Sequence, residues 1–338
     1  MSNPPSKRVT IREVAKVAGV SVTTVSHALN GKGRIDQETI QRVREAAERL
    51  GYQASHAARN LRGGRTGRIA VINSQSSPHK VSLVDLEHFV RLLSGASELA
   101  VERGYTPVLT LPNLAGKTGS PVDGVIIVDP VKDEPLLSAL KLMGTAVVTT
   151  GRDPNRREDA DCWVDNDLYS ATGELLAHLR DQGASRIAVI ASSSMYSYSD
   201  DAVHAYQHWC QQQGMTPQVV EVDGPLSESG AYQQAMKLLE SDNPPEAIHC
   251  VTDRYAFGVL LAAQTLGLKV PEQLMISAGT DGEAAASNSP AVTSLYLNPE
   301  QIGREAVDLL IDRIEGLPVT PRIVPYTLQI RESTRRKA

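Results

Sequence analysis

Two pairs of carboxylates stand close in sequence, Asp165 with Asp167 and Asp281 with Glu283. Paired carboxylates are the equipment of general acid–base catalysis. Nothing accompanies them that would complete a catalytic site. The chain has no G-x-S-x-G, no phosphate-binding loop, no dinucleotide fingerprint and no metal-ligand spacing. Its eight histidines are dispersed and are expected at the surface or in the core. Cys162, Cys210 and Cys250 lack C-x-x-C spacing and read as small buried hydrophobes in a reducing compartment. No catalytic residue, metal or cofactor is therefore expected. The other concentration of chemistry lies between Thr10 and Asn30, in T-I-R-E-V-A-K-V-A-G-V-S-V-T-T-V-S-H-A-L-N. Its hydroxyls, amide and imidazole suit binding rather than bond making.

The elements that must position those groups are two short helices and a tight turn. Thr10 and Glu13 form a T-x-x-E capping box, and Ile11, Val14, Ala15 and Ala18 repeat at helical spacing. Gly19 supplies the backbone freedom of a sharp turn. Ser21 caps a second helix whose inner face is Val25, Ala28 and Leu29. This pattern is a helix-turn-helix, which lays its second helix in the major groove of DNA. Asp36 caps a third helix from Gln37 to about Leu50, with Ile40, Val43, Ala47 and Leu50 inward. Ser55 to Leu61 reads as a short helix, too short to stand alone, before a joint at Gly63, Gly64 and Gly67.

Charge separates this head from the rest. Residues 1–65 hold twelve Lys or Arg against five Asp or Glu, a net +7. With −5 on the whole chain of 338 residues, the remainder carries −12. A basic head on an acidic body suggests that only the head meets a polyanion. A hydrophobic share of 41% gives ample core for the two to three domains that this length implies. The N-terminus lacks the apolar stretch of a signal peptide, and no run approaches a membrane span of roughly 18 residues. The protein is expected to be soluble and cytoplasmic, with no membrane partner.

From Arg68 onward strands and helices alternate. Strands are expected at R-I-A-V-I-N, Y-T-P-V-L-T-L, V-D-G-V-I-I-V and T-A-V-V-T-T, with helices at about Leu83–Arg103 and Pro135–Met143. A second series follows, with helices at Leu168–Gln182, Asp201–Gln213, Ser229–Ser241 and Tyr255–Leu266. Between them lie the strands S-R-I-A-V-I-A, Q-V-V-E-V, A-I-H-C-V and M-I-S-A-G-T. Short apolar runs between helices mean parallel sheets covered on both faces. Two such units in tandem predict an α/β core of two lobes, with a ligand cleft at the carboxyl ends of the strands.

The head from V-T-I-R-E-V-A to R-V-R-E-A-A-E-R-L-G-Y resembles the DNA-binding head of the lactose/galactose repressor family, most specifically in A-G-V-S-x-x-T-V-S. Further similarity lies in V-D-G-V-I-I, V-D-N-D at Val164–Asp167, G-A-S-R-I-A-V-I, T-D-R-Y-A-F-G and P-A-V-T-S-L, so it covers nearly the whole chain. The resemblance implies a helix-turn-helix head over 1–53, a hinge helix and linker over 54–67, and a core over 68–338. That core is two-lobed, like the periplasmic sugar-binding proteins, and serves effector binding and dimerisation. It implies a dimeric transcription regulator, a repressor on a palindromic double-stranded operator, controlled by a small molecule.

Carried over by position, the resemblance gives base reading to Val22, Thr23 and His27, and phosphate contacts to Thr10, Ser21, Thr24, Ser26, Asn30 and Arg34. Hydroxyls, amides and arginine fix register on the backbone while groove-facing side chains choose the sequence. Leu61, beside Ala57 and Ala58, matches a leucine wedged into the minor groove at the operator centre. Its bland alternative is a packed linker residue. Gln75, Ser76, Asp129, Asp165, Thr252 and Asp281 match positions facing the effector. Many relatives carry a cleft arginine where this chain reads S-D-D-A-V, with Ala202, and a glutamine where it has Leu297. Losing a bidentate donor and an amide argues against a typical sugar ring. Tyr196, Tyr198 and Tyr206 either stack on a ligand in compensation or are loop and core aromatics. Three other functions compete. An enzyme lacks motifs, and a transport-type binding protein lacks a signal peptide. A regulator of the same fold with no small-molecule effector, partner-controlled or constitutive, stays open.

Overall fold

In a computed structural model of the chain, the residues described are 9–30, 35–50, 65–74, 86–110, 121–155, 162–192, 196–222 and 227–336. Internal contacts divide the protein into Met1–Arg65 and Thr66–Ala338. Thr66 begins the second unit for a physical reason. Its N–H and hydroxyl and the N–H of Gly67 all donate to the Asp123 carboxylate, at 2.7, 3.0 and 2.7 Å.

The head contains α1 (Ile11–Ala18), α2 (Val22–Asn30) and α3 (Gln37–Leu50). Their starts follow the local chemistry. The Thr10 N–H donates to Glu13 at 2.7 Å, the Thr24 N–H to Ser21 Oγ at 3.0 Å, and the Thr39 N–H to Asp36 at 2.7 Å. Each contact satisfies a backbone donor that a helix start leaves open. Gly19 closes α1 in the left-handed region at φ 68°. Each helix contributes one fully buried valine, Val14, Val25 and Val43, around which Ala15, Ala18, Ala28, Ala46 and Ala47 pack. The Leu29 side chain lies outside what is described.

The core holds two six-stranded sheets. Its amino-terminal lobe contains β1 (Arg68–Asn73), β2 (Thr106–Thr110), β3 (Gly124–Val128), β4 (Ala146–Thr150), β5 (Trp163–Asp165) and β11 (Arg322–Ile323). They are parallel, in the order β11-β5-β4-β3-β1-β2. The carboxyl-terminal lobe contains β6 (Ile187–Ala191), β7 (Val219–Glu221), β8 (Ala247–Cys250), β9 (Met275–Ala278), β10 (Thr293–Tyr296) and β12 (Thr327–Gln329). The order is β12-β10-β9-β8-β6-β7, with only β12 antiparallel. Helices α4 (Leu86–Glu102) and α5 (Pro135–Leu142) serve the first lobe. The second has α6 (Leu168–Asp181), α7 (Ser197–Gln213), α8 (Glu228–Leu239), α9 (Asp253–Thr265) and α10 (Glu283–Ser287). β3, β6 and β8 are buried at every residue, as strands covered on both faces must be. Among the described residues no helix is long and apolar enough to cross a membrane. All three cysteines are buried and unpaired with one another.

The lobes are not simply in tandem. After β10 the chain returns to the first lobe as α11 (Pro299–Glu315), whose Ile302, Ala306, Val307 and Leu310 pack with Ile69, Val71 and Ile126. It then adds β11 to the first sheet and β12 to the second. Three crossings therefore join the lobes, and Asn166 ties them together. Buried on the first crossing, its Nδ2 donates to Leu297 O on the second at 3.1 Å and to Val324 O on the third at 2.8 Å.

Two glycines let α11 approach α4. A Cβ on Gly303 would lie 2.0 Å from Leu92 O, and one on Gly95 would lie 2.0 Å from Glu300 O. Backbone is on both sides, so neither neighbour can swing away. Gly303→Ala should therefore destabilise the core by about 3 kcal/mol through overpacking. Chemical denaturation measures this, and a loss below about 1 kcal/mol would show that the helices slide apart freely.

Candidate functional site

In the head, α2 divides its residues by exposure. Val25 and Ala28 are buried, while Ser21, Val22, Thr23 and His27 are exposed and Thr24 is half-buried. Val22, 37% exposed, stands on the first turn of α2 with an unsatisfied aliphatic surface. Ser21 Oγ and Thr24 Oγ1 lie 2.8 Å apart beside the helix start. Thr10 is exposed at the start of α1. Helix starts present N–H groups and positive dipole ends, which suit phosphate oxygens. The side chains of Ser26 and Asn30, together with Arg34, Ala57, Ala58, Leu61 and the expected hinge helix, lie outside the described residues. So do Gln75 and Ser76.

In the core, a cavity of about 140 Å³ opens between the lobes. Asp129, Asp165, Ala202, Thr252, Asp281 and Leu297 all line it. These residues span most of the core sequence, and the fold brings them together because their strands and crossings end there. Asp129 follows β3 with φ 49°, and its backbone N–H is held by Thr150 O at 2.9 Å. Burial, with Asp165 facing it, pushes its carboxyl up to about 7. Burial likewise pushes Asp165 up to about 6, against the pull of Arg152. Asp281 is engaged internally, both oxygens accepting from Arg331 at 2.7 and 2.9 Å and one also from Ser294.

Each carboxylate pair noted in the sequence is split by the fold. Asp165 faces the cavity, but Asp167 is exposed and caps α6 through the Ser170 N–H at 3.0 Å. Asp281 is on the wall while Glu283 is at the surface. A two-carboxylate acid–base device is therefore not assembled at either place. Among the described residues no group of His, Cys, Asp and Glu is placed to hold a metal ion.

Comparison with known proteins places both halves. Residues 10–55 match the lacI family of bacterial regulatory proteins, and residues 176–334 match the periplasmic binding protein-like domain. The HTH-type transcriptional regulator CelR of Thermobifida fusca is 28% identical, aligned over 97% of this chain and 98% of its own. The chain carries a lacI-family head and a periplasmic binding protein-like core. The HTH-type transcriptional repressor PurR of Aliivibrio salmonicida is also 28% identical, over 90% of this chain and 92% of its own length. A solved CelR–cellobiose complex superimposes with a TM-score of 0.72 at 26% identity, covering 96% of this chain and all of that one. The lac repressor dimer bound to operator and the anti-inducer ONPF shares the fold, with a TM-score of 0.71 at 21% identity over 97% and 99% of the two chains.

Several wall residues were not singled out from sequence. Thr150 ends β4 and His249 is the last residue but one of β8, so the carboxyl-end rule could have found them. Glu87 and His88 come from α4 and carry no such signal. His88 is pushed down to about 4, by burial first and then by Arg91. Arg152, in the turn after β4, was also missed. Its Nε donates to Asp165 at 2.9 Å and its Nη2 to Asp201 of α7 in the other lobe. Its guanidinium also lies 5.6 Å from the centre of the Trp163 ring. The arginine absent from S-D-D-A-V thus has a counterpart arriving from the opposite lobe, but its Nε and Nη2 donors are taken. The tyrosines divide between the two roles left open. Tyr206 is a core residue, donating to Ile187 O, whereas Tyr198 lines the cavity and stacks on Tyr196 at 5.5 Å.

Proposed function

We propose that this protein is a sequence-specific DNA-binding transcriptional regulator, acting as a repressor in the cytoplasm, and controlled by a small molecule in the interlobe cavity. It is a DNA-binding switch rather than an enzyme. The division of α2 carries the reading, because a helix that buries Val25 and Ala28 while exposing Val22, Thr23 and His27 is built to present those three to a groove. Val22 presses on a thymine methyl, and His27 donates to a guanine acceptor. Thr10, Ser21, Thr24, Ser26, Asn30 and Arg34 hold phosphates, and Leu61, with Ala57 and Ala58, forms the minor-groove wedge. Two copies place two heads on the half-sites of a palindrome, since a two-fold dimer imposes its symmetry on the operator. The lac repressor dimer bound to operator supports that arrangement, and the cellobiose complex of CelR supports a ligand in the cavity. Head, hinge and core are assigned to 1–53, 54–67 and 68–338.

His27→Ala should relax base choice at one position of each half-site, costing about 1–3 kcal/mol against the preferred base. Selection of binding sites from random DNA reads this directly. An unchanged motif would remove His27 from base recognition.

One observation favours a second reading, a regulator of the same fold with no small-molecule effector. Arg331 occupies both oxygens of Asp281, and Arg152 occupies Asp165 and Asp201, so part of the cavity's polar capacity is satisfied internally. Calorimetry of the full chain against a metabolite panel, paired with operator binding, separates the two. A ligand that binds and shifts operator affinity supports the first reading alone.

A further inference from the structure

Charge on the cavity wall is one-sided. Five acids face it, Glu87, Asp129, Asp165, Asp253 and Asp281, against one arginine, Arg254, among the described residues. Three of the five have a cation beside them. Asp281 has Arg331, Asp165 shares Arg152 with Asp201, and Glu87 has Arg91 at 4.0 Å. Among the described residues no cation pairs with Asp129 or Asp253. Among the described residues, the Asp253 carboxylate accepts from the Thr280 hydroxyl at 3.1 Å and the Arg254 N–H at 2.9 Å. Glu87 lies beside it, and both converge on Gly282, where a Cβ would be 2.7 Å from Glu87 and 3.0 Å from Asp253. The buried histidines add no positive charge near neutral pH, since burial pushes His249 as well as His88 down to about 4.

Polar atoms on the same wall await a partner. Thr150 Oγ1, His249 Nε2 and Thr252 Oγ1 are buried without a hydrogen bond among the described residues, on side chains 2%, 0% and 7% exposed. Buried polar groups without partners are costly, and a ligand that supplies them gains what was missing. We infer that the cavity takes a ligand bearing a cationic nitrogen, an ammonium, amidinium or guanidinium, with Asp129 as its counter-ion. The inference rests on the reading of the cavity as an effector site and names the class of effector.

Electrostatics decides between ligand classes. An anion would add charge of the same sign to a wall already in excess. A neutral polyol would satisfy Thr150 and Thr252 but leave Asp129 and Asp253 without a counter-ion, so their charged forms stay costly. A cation removes that cost. Burial pushes Asp129 up to about 7 and Asp253 up to about 6, which is how these groups avoid the charge when no cation is present.

The test uses the full chain and two matched pairs of probes, butylguanidine against its neutral isostere butylurea, and glucosamine against glucose. Calorimetry near pH 7, where both cationic probes are largely protonated, should show at least one cationic member binding about tenfold or more tighter than its neutral partner. That preference should fall below about threefold in Asp129→Asn. Should this variant fold poorly, Asp253→Asn provides the same readout. The inference is overturned when the neutral member of both pairs binds as well as the cationic one. Failure of both cations to bind at millimolar concentration, or survival of the preference in the variants, overturns it equally. Binding of the unliganded protein to its selected operator is measured in parallel. Its loss would strike the regulator reading, whereas glucose binding that shifts operator affinity would leave that reading intact and remove only the cation.

Discussion

Replacing Arg152 by Met should cost about 3–5 kcal/mol of folding stability near pH 8. The Arg152 guanidinium bridges Asp165 and Asp201, whose side chains are only 10% and 7% exposed, and methionine retains much of its bulk without its charge. Two buried carboxylates then lose the guanidinium that bridges them. The loss must depend on pH. A carboxyl whose folded pKa is raised carries a penalty that is absent below its unfolded value of about 4 and complete above its folded value. Asp165 already lies at about 6 with Arg152 beside it, and losing the arginine moves it higher. The variant should therefore approach the parent near pH 4 to 5 and diverge from it as pH rises. Urea denaturation at both ends of that range is the measurement. An equal loss at each end would assign Arg152 a packing role. Adding Asp201→Asn should restore part of the stability, because one of the stranded charges disappears.

Asn166→Asp is expected to be nearly as damaging, at about 3–5 kcal/mol near neutral pH. The Asn166 amide donates to Leu297 O and Val324 O from a position 3% exposed, so a carboxylate there would set negative charge against two carbonyl oxygens. Protonation returns one donor, and the sign again follows from a raised carboxyl pKa, with stability recovering as pH falls. Asn166→Ala removes both hydrogen bonds without adding charge and should cost about 2 kcal/mol with no such recovery. Thermal unfolding of both variants across pH distinguishes them. Identical pH profiles would mean that the amide does not link the crossings.

Local chemistry was the legible part of this fold. Thr10, Ser21 and Asp36 start helices through contacts three residues away, and such contacts are written in the sequence itself. The strand positions were equally clear where apolar runs are four residues or longer. β5 has only three residues, too few to show a period, and it stood in the sequence as the motif V-D-N-D rather than as a strand. α7 begins at Ser197, four residues before the start expected at Asp201, because S-Y-S-D has no apolar repeat to announce its first turn. The cavity was half legible for a related reason. Asp129, Thr252 and Asp281 end strands or begin helices, where ligands of α/β folds gather. The partnership of Arg152 with Asp201 joins residues far apart in sequence, and no pattern within either segment foretells it. The destination of α11 was hidden in the same way. Its apolar spacing says that it is buried, but only the assembled core shows against which sheet.

The return of α11 to the first lobe has a consequence for how the protein is made. A ribosome releases the strands β1 to β5 early, yet the hydrophobic face that covers them includes Ile302, Ala306, Val307 and Leu310. Until those residues emerge, one face of the first sheet has α4 but lacks α11, and its closure is a long-range event of the slow kind. The inner strands β6, β8 and β9 and the edge strand β7 of the second lobe lie within one continuous stretch, Ile187–Ala278. The lobe synthesised first is thus expected to mature last, and a message cut short before residue 299 would yield a nascent chain with an exposed apolar sheet, a natural substrate for chaperones and proteases.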